Sequence, residues 1–135
     1  MSGHEEGKWI MKIFCGTDII EIDRIKSSIE ENGDNFLNRI YTKKEIEYCE
    51  SKKNAKYQHY SARFAAKEAV FKALSQLLKD KYEISWLDIE IINLENGKPT
   101  VTLLKKLENI DYIELSISHS RDYAVAMALV KTNKE

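Results

Sequence analysis

The stretch Phe64-Ala65-Ala66-Lys67-Glu68-Ala69-Val70-Phe71-Lys72 is built almost wholly from strong helix formers, yet its polar residues are not arranged as a solvated face would arrange them. At about 100° per residue, Tyr60, Phe64, Phe71, Leu74 and Leu78 form one stripe with Lys67 in its middle. Ala62, Ala65, Ala66, Ala69 and Ala73 line the opposite side. A helix that is apolar front and back has to be covered by protein on both sides. Only a narrow flank remains, and it carries Ser61, Glu68, Lys72 and Ser75. A carboxylate and two ammonium groups on a largely buried helix are costly unless a ligand, metal or partner neutralises them. This helix is therefore the first candidate for a site that binds something charged.

The rest of the composition sets bounds on that site. The chain has 135 residues, 43% hydrophobic and 32% charged, which suits one compact domain with its own core. A net charge of −1 supplies no global basic field of the kind that binds nucleic acid. No apolar run approaches the roughly 18 residues of a membrane span. Cys15 and Cys49 are far apart and form no C-x-x-C pair, so they read as reduced thiols of a cytoplasmic protein. Residues 1–10 lack the apolar segment of a secretory signal and read as a short irregular lead, with a single domain over residues 11–135. The tail from Lys131 onward is polar and is expected to fray.

Local patterns outline the elements. Residues 13–20 read as a strand with Asp18 near its end, where Gly16 permits close backbone approach or a kink. Ile22, Ile25 and Ile29 give a helix stopped at Asn32-Gly33, and Thr42-Lys43-Lys44-Glu45 is a capping box that starts another. After the long helix, residues 84–94 are rich in β-branched side chains and read as a strand. Asn96-Gly97-Lys98-Pro99 is a turn, and residues 100–104 make the partner strand. Residues 112–118 and 123–130 form a final pair. Its small face is expected to combine Ser116 and Ser118 with Ala124, Ala126 and Ala128, inviting the alanine side of the long helix. Helices grouped ahead of strands argue for an α+β fold, an antiparallel sheet packed on the long helix.

Asp18 at the end of an apolar strand reads, taken alone, as a cap for the next helix. Glu68 opens another reading: two carboxylates from different segments suit a hard cation such as Mg²⁺, which takes one or two protein carboxylates with waters and phosphate oxygens. Lys67 and Lys72 beside them fit a metal-bridged polyphosphate. Against this stands an ordinary i,i+4 ion pair between Glu68 and Lys72, worth only about 0.2–0.5 kcal/mol. His119, at the lip of the final hairpin beside Ser118, Ser120 and Arg121, reads either as a packed histidine or as part of a phosphate-contacting loop.

Four blocks in order resemble one family: Gly16-Thr17-Asp18-Ile19 with Arg24 downstream, Phe64-Ala65-Ala66-Lys67-Glu68-Ala69 followed by Lys72, Asn96-Gly97-Lys98-Pro99, and Ser116-Ile117-Ser118-His119-Ser120. They are similar to the motifs of the short bacterial holo-acyl-carrier-protein synthases, which are 4′-phosphopantetheinyl transferases. The resemblance implies the fold of that family. It also implies Mg²⁺-dependent transfer of 4′-phosphopantetheine from coenzyme A to a serine of apo-acyl carrier protein, releasing adenosine 3′,5′-bisphosphate and serving fatty acid biosynthesis. On it, Asp18 and Glu68 hold Mg²⁺, and Lys67 and Lys72 contact phosphate oxygens. Either Lys72 or Glu68 manages the serine proton. Arg63 and His119 reach the 3′-phosphate, and Asn96, Gly97 and Pro99 lie along the adenine. Arg24 meets the acidic recognition helix of the carrier protein, and the short chain assembles as a cytoplasmic homotrimer with sites between subunits. Two rival readings use the same residues: a pyrophosphohydrolase acting on another diphosphate, and a non-enzymatic adaptor binding acidic helices through Arg24, Lys26, Lys43 and Lys44.

Overall fold

The computed structural model describes residues 11–133, so the expected irregular lead, residues 1–10, lies outside the described residues. Strand β1 (Ile13–Glu21) runs directly into helix α1 (Ile22–Asn32). Gly33 ends α1 with φ 54° and donates its N–H to Ile29 O at 2.7 Å. Two short helices follow, α2 (Asp34–Ile40) and α3 (Lys43–Glu50), then the long helix α4 (Lys56–Ser75). Two 3₁₀ turns, Lys81–Glu83 and Trp86–Asp88, lead into the hairpin of β2 (Ile89–Asn93) and β3 (Pro99–Leu103). Strands β4 (Ile110–His119) and β5 (Tyr123–Thr132) complete the fold.

The arrangement is α+β. One antiparallel sheet has the order β1-β5-β4, and β2 and β3 form a separate two-stranded ladder. The capping box forms as the sequence predicts: the Thr42 N–H donates to Glu45 Oε1 at 2.8 Å and the Glu45 N–H donates to Thr42 Oγ1 at 3.3 Å. Helix α4 is covered on both sides. Ala65, Ala66, Ala69 and Ala73 pack with Ala126, Ala128 and Val130 of the sheet in one apolar cluster. Tyr60 packs with Ile25, Ile29, Phe36, Leu37 and Ile40 from the first two helices in another.

The contact between β1 and α4 is closer than a side chain allows. A Cβ placed on Gly16 would lie 2.1 Å from Ala69 O and 2.7 Å from Ala73 N, both backbone atoms. Only glycine lets the strand lie this close to the helix. That contact sets Asp18, two residues further along the same face, against the polar flank of α4.

Five local expectations differ from the structure. Helix α4 ends at Ser75, so Leu78, expected on its apolar stripe, lies beyond it. Helix α2 lies where no element was expected: its seven residues are too few for a periodic window, though Phe36, Leu37 and Ile40 are buried from it. The strand expected over residues 84–94 begins only at Ile89, because Ser85 and Asp88 close a capped 3₁₀ turn ahead of it. β5 continues through Thr132, whose N–H donates to Lys12 O at 2.9 Å, where a frayed tail was expected. Finally, the sheet faces are composed differently. The β4–β5 hairpin pairs His119 with Ala124 and Leu115 with Ala128, so odd positions of β4 share a face with even positions of β5. Ile113, Leu115 and Ile117 therefore join the alanines against α4, while Ser116 and Ser118 stand on the outer face with Val125 and Met127.

Candidate active site

The register of β1 against β5 pairs Asp18 with Ala126, a buried position on the helix-facing side of the sheet. Asp18 does not cap α1, whose N-terminal residue Glu21 makes no side-chain capping bond. Its carboxylate instead meets Lys72, with Nζ 3.1 Å from Oδ1, and the same ammonium donates to Thr17 O at 3.0 Å. Glu68 lies one turn before Lys72 on the same flank of α4, where residues four apart are neighbours about 5–6 Å apart at Cβ. Among the described residues the simple Glu68–Lys72 ion pair does not form. Glu68 Oε2 accepts the Trp86 indole N–H, and Lys72 turns to the strand. Asp18 from a distant segment thus meets Lys72, with Glu68 one turn away on the same flank of α4.

Lys67, the neighbour of Glu68, has a different fate from the one expected. Its side chain is fully buried, with Nζ 2.6 Å from Glu45 Oε1, and it donates to Ile40 O at 2.7 Å and Trp86 O at 2.9 Å. The expected phosphate contact of Lys67 is corrected accordingly: its ammonium is enclosed and already has three oxygen partners. Burial pulls the Lys67 pKa down, and the adjoining Glu45 carboxylate pushes back. Glu45 is equally enclosed, and its second oxygen accepts the Ile91 N–H at 2.7 Å. Reading Glu45 only as a capping residue missed this pairing, which the full burial of a lysine inside an apolar stripe could have signalled.

A second group of the expected residues gathers around Asn93. The Arg63 guanidinium donates to Asn93 Oδ1 at 2.6 Å and lies 4.0 Å above the Tyr48 ring, and its buried Nε has no hydrogen-bond partner. Asn93 in turn donates to Gly97 O at 3.0 Å, tying Arg63 to the β2–β3 turn. In that turn Gly97 takes φ 90°, and Asn96 Oδ1 accepts the Lys98 N–H at 2.9 Å, with Pro99 opening β3. His119 ends β4 close enough to His59 to be felt electrostatically. Desolvation, then Lys52, Arg63 and His119, hold the His59 pKa below its usual value. Arg24 projects from α1 into solvent.

The donor set fits Mg²⁺. Asp18 and Glu68 offer hard carboxylate oxygens, and such an ion takes only one or two protein carboxylates. No group of three or more His, Cys, Asp or Glu side chains able to hold a metal occurs among the described residues. Beside Glu68 opens a largely apolar cavity of about 340 Å³, walled by Phe71, Tyr82, Ile84, Ser85, Trp86 and Ile89.

Known proteins share both the sequence and the fold. The family model of the 4′-phosphopantetheinyl transferase superfamily matches residues 14–128. The holo-(acyl-carrier-protein) synthase of Ruminiclostridium cellulolyticum is 47% identical over 126 residues, covering 89% of this chain and 92% of that protein. Among solved structures, the synthase of Bacillus anthracis in complex with CoA (3′,5′-ADP) superposes with a TM-score of 0.77 at 34% identity, over 92% of this chain and 100% of that one. The Helicobacter pylori synthase in complex with coenzyme A gives 0.75 at 35%, over 86% and 98%. The matched span runs from β1, which carries Asp18, through α4, which carries Glu68 and Lys72, to β5, so the chain that builds this site belongs to the 4′-phosphopantetheinyl transferase superfamily.

Proposed function

We propose that this protein is a holo-(acyl-carrier-protein) synthase, transferring 4′-phosphopantetheine from coenzyme A to a serine of apo-acyl carrier protein and releasing adenosine 3′,5′-bisphosphate. The observation that carries the proposal is the meeting of Asp18 with Lys72, one turn from Glu68, in a chain close to half identical to such a synthase. The serine oxygen attacks the β-phosphorus while the bond to the leaving phosphate breaks, so the barrier is set mainly by alignment and by the handling of charge. Asp18 and Glu68 are the residues that would hold Mg²⁺, which when bound spreads the charge of both phosphates. Lys72 is free to exchange Asp18 for a phosphate oxygen, because its side chain is half exposed. Lys72, Glu68 or water receives the serine proton, a contribution of about 10²–10⁴-fold.

Arg63, His119 and the Asn96-Gly97-Pro99 turn serve the nucleotide end of coenzyme A, a role supported by the hydrogen bonds that tie Arg63 through Asn93 to Gly97. Arg24 serves the acidic surface of the carrier protein. Homotrimer assembly is part of the reading and is supported by the outer face of the three-stranded sheet, where Ile13, Ile19, Tyr123, Val125 and Met127 stand exposed. A cytoplasmic setting agrees with two free thiols, Cys15 and Cys49. No helix among the described residues is long and apolar enough to cross a membrane.

The test is incubation with coenzyme A, Mg²⁺ and apo-acyl carrier protein, followed by mass spectrometry. The expected result is one phosphopantetheine added to the carrier serine, lost with EDTA and reduced at least about 10²-fold in Asp18→Asn and Glu68→Gln. Cleavage of coenzyme A with no gain of mass on the carrier would point to a pyrophosphohydrolase instead.

A further inference from the structure

Glu68 is held by a residue that lies outside every motif block of the sequence. Trp86 donates its indole N–H to Glu68 Oε2. Its carbonyl accepts from the buried Lys67 ammonium at 2.9 Å, and its ring lies 6.2 Å from that of Phe64. The 3₁₀ turn it opens is closed by Asp88 Oδ2, which accepts from the Ser85 N–H at 2.9 Å and the Ser85 hydroxyl at 3.2 Å. The residue is therefore fixed at three points: backbone, ring face and N–H. The anchor of the backbone point is the Glu45–Lys67 pair, which is wholly enclosed.

We propose that Trp86 is a positioning residue for Glu68, aiming its carboxylate at the cation that Glu68 is taken to bind. The inference rests on that reading of Glu68. A glutamate on a half-exposed helix flank has several rotamers, and ordering it costs free energy that otherwise comes out of metal affinity. One fixed donor removes that cost on one oxygen and leaves the other oxygen open. The chemistry of the donor matters as much as its place. An indole N–H is neutral, so it orients the carboxylate without cancelling its charge, whereas a lysine or arginine there would compete with the metal. Asp18 is the contrast, since its partner Lys72 is a cation. The route Glu45–Lys67–Trp86–Glu68 also gives the buried ion pair a use beyond packing: it holds the segment that holds the carboxylate.

The experiment measures Mn²⁺ binding directly, by electron paramagnetic resonance of the unbound ion, with coenzyme A present. Trp86→Phe keeps an aromatic side chain against Phe64 and removes the indole N–H together with the five-membered ring that carries it. Its Mn²⁺ dissociation constant is expected to rise about 10-fold, the lower end for loss of a partner that orients a metal ligand. Its melting temperature and its KM for carrier protein should stay near those of the parent. In the unmodified sequence with isotopically labelled tryptophan, the Trp86 indole resonance should move in Glu68→Gln and on addition of Mg²⁺ with coenzyme A. A melting temperature that falls while Mn²⁺ affinity holds, or an indole resonance indifferent to Glu68→Gln, overturns the proposal. If Mn²⁺ affinity falls in Glu68→Gln but not in Trp86→Phe, only the role of Trp86 is lost. If Glu68→Gln also binds Mn²⁺ like the parent, the metal role of Glu68 falls with it.

Discussion

Lys67 and Glu68 are adjacent in sequence and differ in everything else, because one step along a helix turns a side chain by about 100°. That turn carries Lys67 into the interior, against Glu45, and leaves Glu68 at the edge of the cavity. A buried ion pair is held together by the cost of breaking it more than by a net gain on forming it. Lys67→Met is therefore expected to destabilise the fold by about 3–5 kcal/mol, because Glu45 is left at zero exposure without its cation, with only the Thr42 and Ile91 N–H groups for partners. Adding Glu45→Gln to that variant should restore part of the loss, as read from urea unfolding midpoints. A single variant within about 0.5 kcal/mol of the parent, the range of an ordinary surface change, would mean that the pair carries no structural weight. The sequence placed Lys67 in the middle of an apolar stripe, and the structure buries it there. What it did not convey was the partner, because Glu45 already had a complete local role in its capping box and long-range pairing leaves no periodic trace. Trp86 escaped for a similar reason: a lone aromatic in a short capped turn looks like packing until its N–H is seen to have an address.

At the scale of elements, the site depends on how near β1 comes to α4. Gly16 reads in sequence as a place of close backbone approach, and the structure gives the reason in the carbonyl of Ala69 and the N–H of Ala73. Gly16→Ala puts a methyl group where no side chain can yield, so strand and helix have to separate. The expected cost is that of overpacking a core, about 1–3 kcal/mol. The same separation pulls Asp18 away from Lys72, so turnover should fall more than stability alone predicts, and the Mg²⁺ concentration giving half-maximal rate should rise. Cys15→Ala, on the exposed face of the same strand, is the control and should change neither quantity. A Gly16→Ala protein with parent stability and parent Mg²⁺ dependence would show that the contact can relax harmlessly. Elements defined by local chemistry were legible, including the capping box at Thr42, the stop at Gly33 and the turn at Gly97. The composition of the sheet faces was not, because it depends on the parity of one hairpin. Ser120 donates its N–H to Tyr123 O at 2.8 Å, leaving a two-residue turn, and a single residue more or less would exchange the faces.

At the scale of the molecule, two elements among the described residues are apolar on both sides. Helix α4 is one, and the chain itself covers it. Strand β5 is the other: Ala124, Ala126, Ala128 and Val130 face the helix, while Tyr123, Val125 and Met127 face outward with Ile13 and Ile19 of β1. A central strand hydrophobic on both faces is the pattern of a sheet buried on both sides, yet nothing among the described residues covers this one. Reading the uncovered face as the seam of a homotrimer leads to a direct test in Met127→Lys. Met127 is 52% exposed and lies between Thr17 and Ser116 across the strands, so a lysine there has room within one chain and should leave its melting nearly unchanged. Between chains the same lysine would bury an unpaired ammonium, which costs several kcal/mol for each subunit. Light scattering should then report trimer for the parent and monomer for the variant, with matching circular dichroism. Carrier modification should fall in the monomer if residues from two subunits build each site. A parent that is monomeric at the concentrations where it modifies carrier protein would remove the seam, and with it the need for a second chain at the site of Asp18 and Glu68.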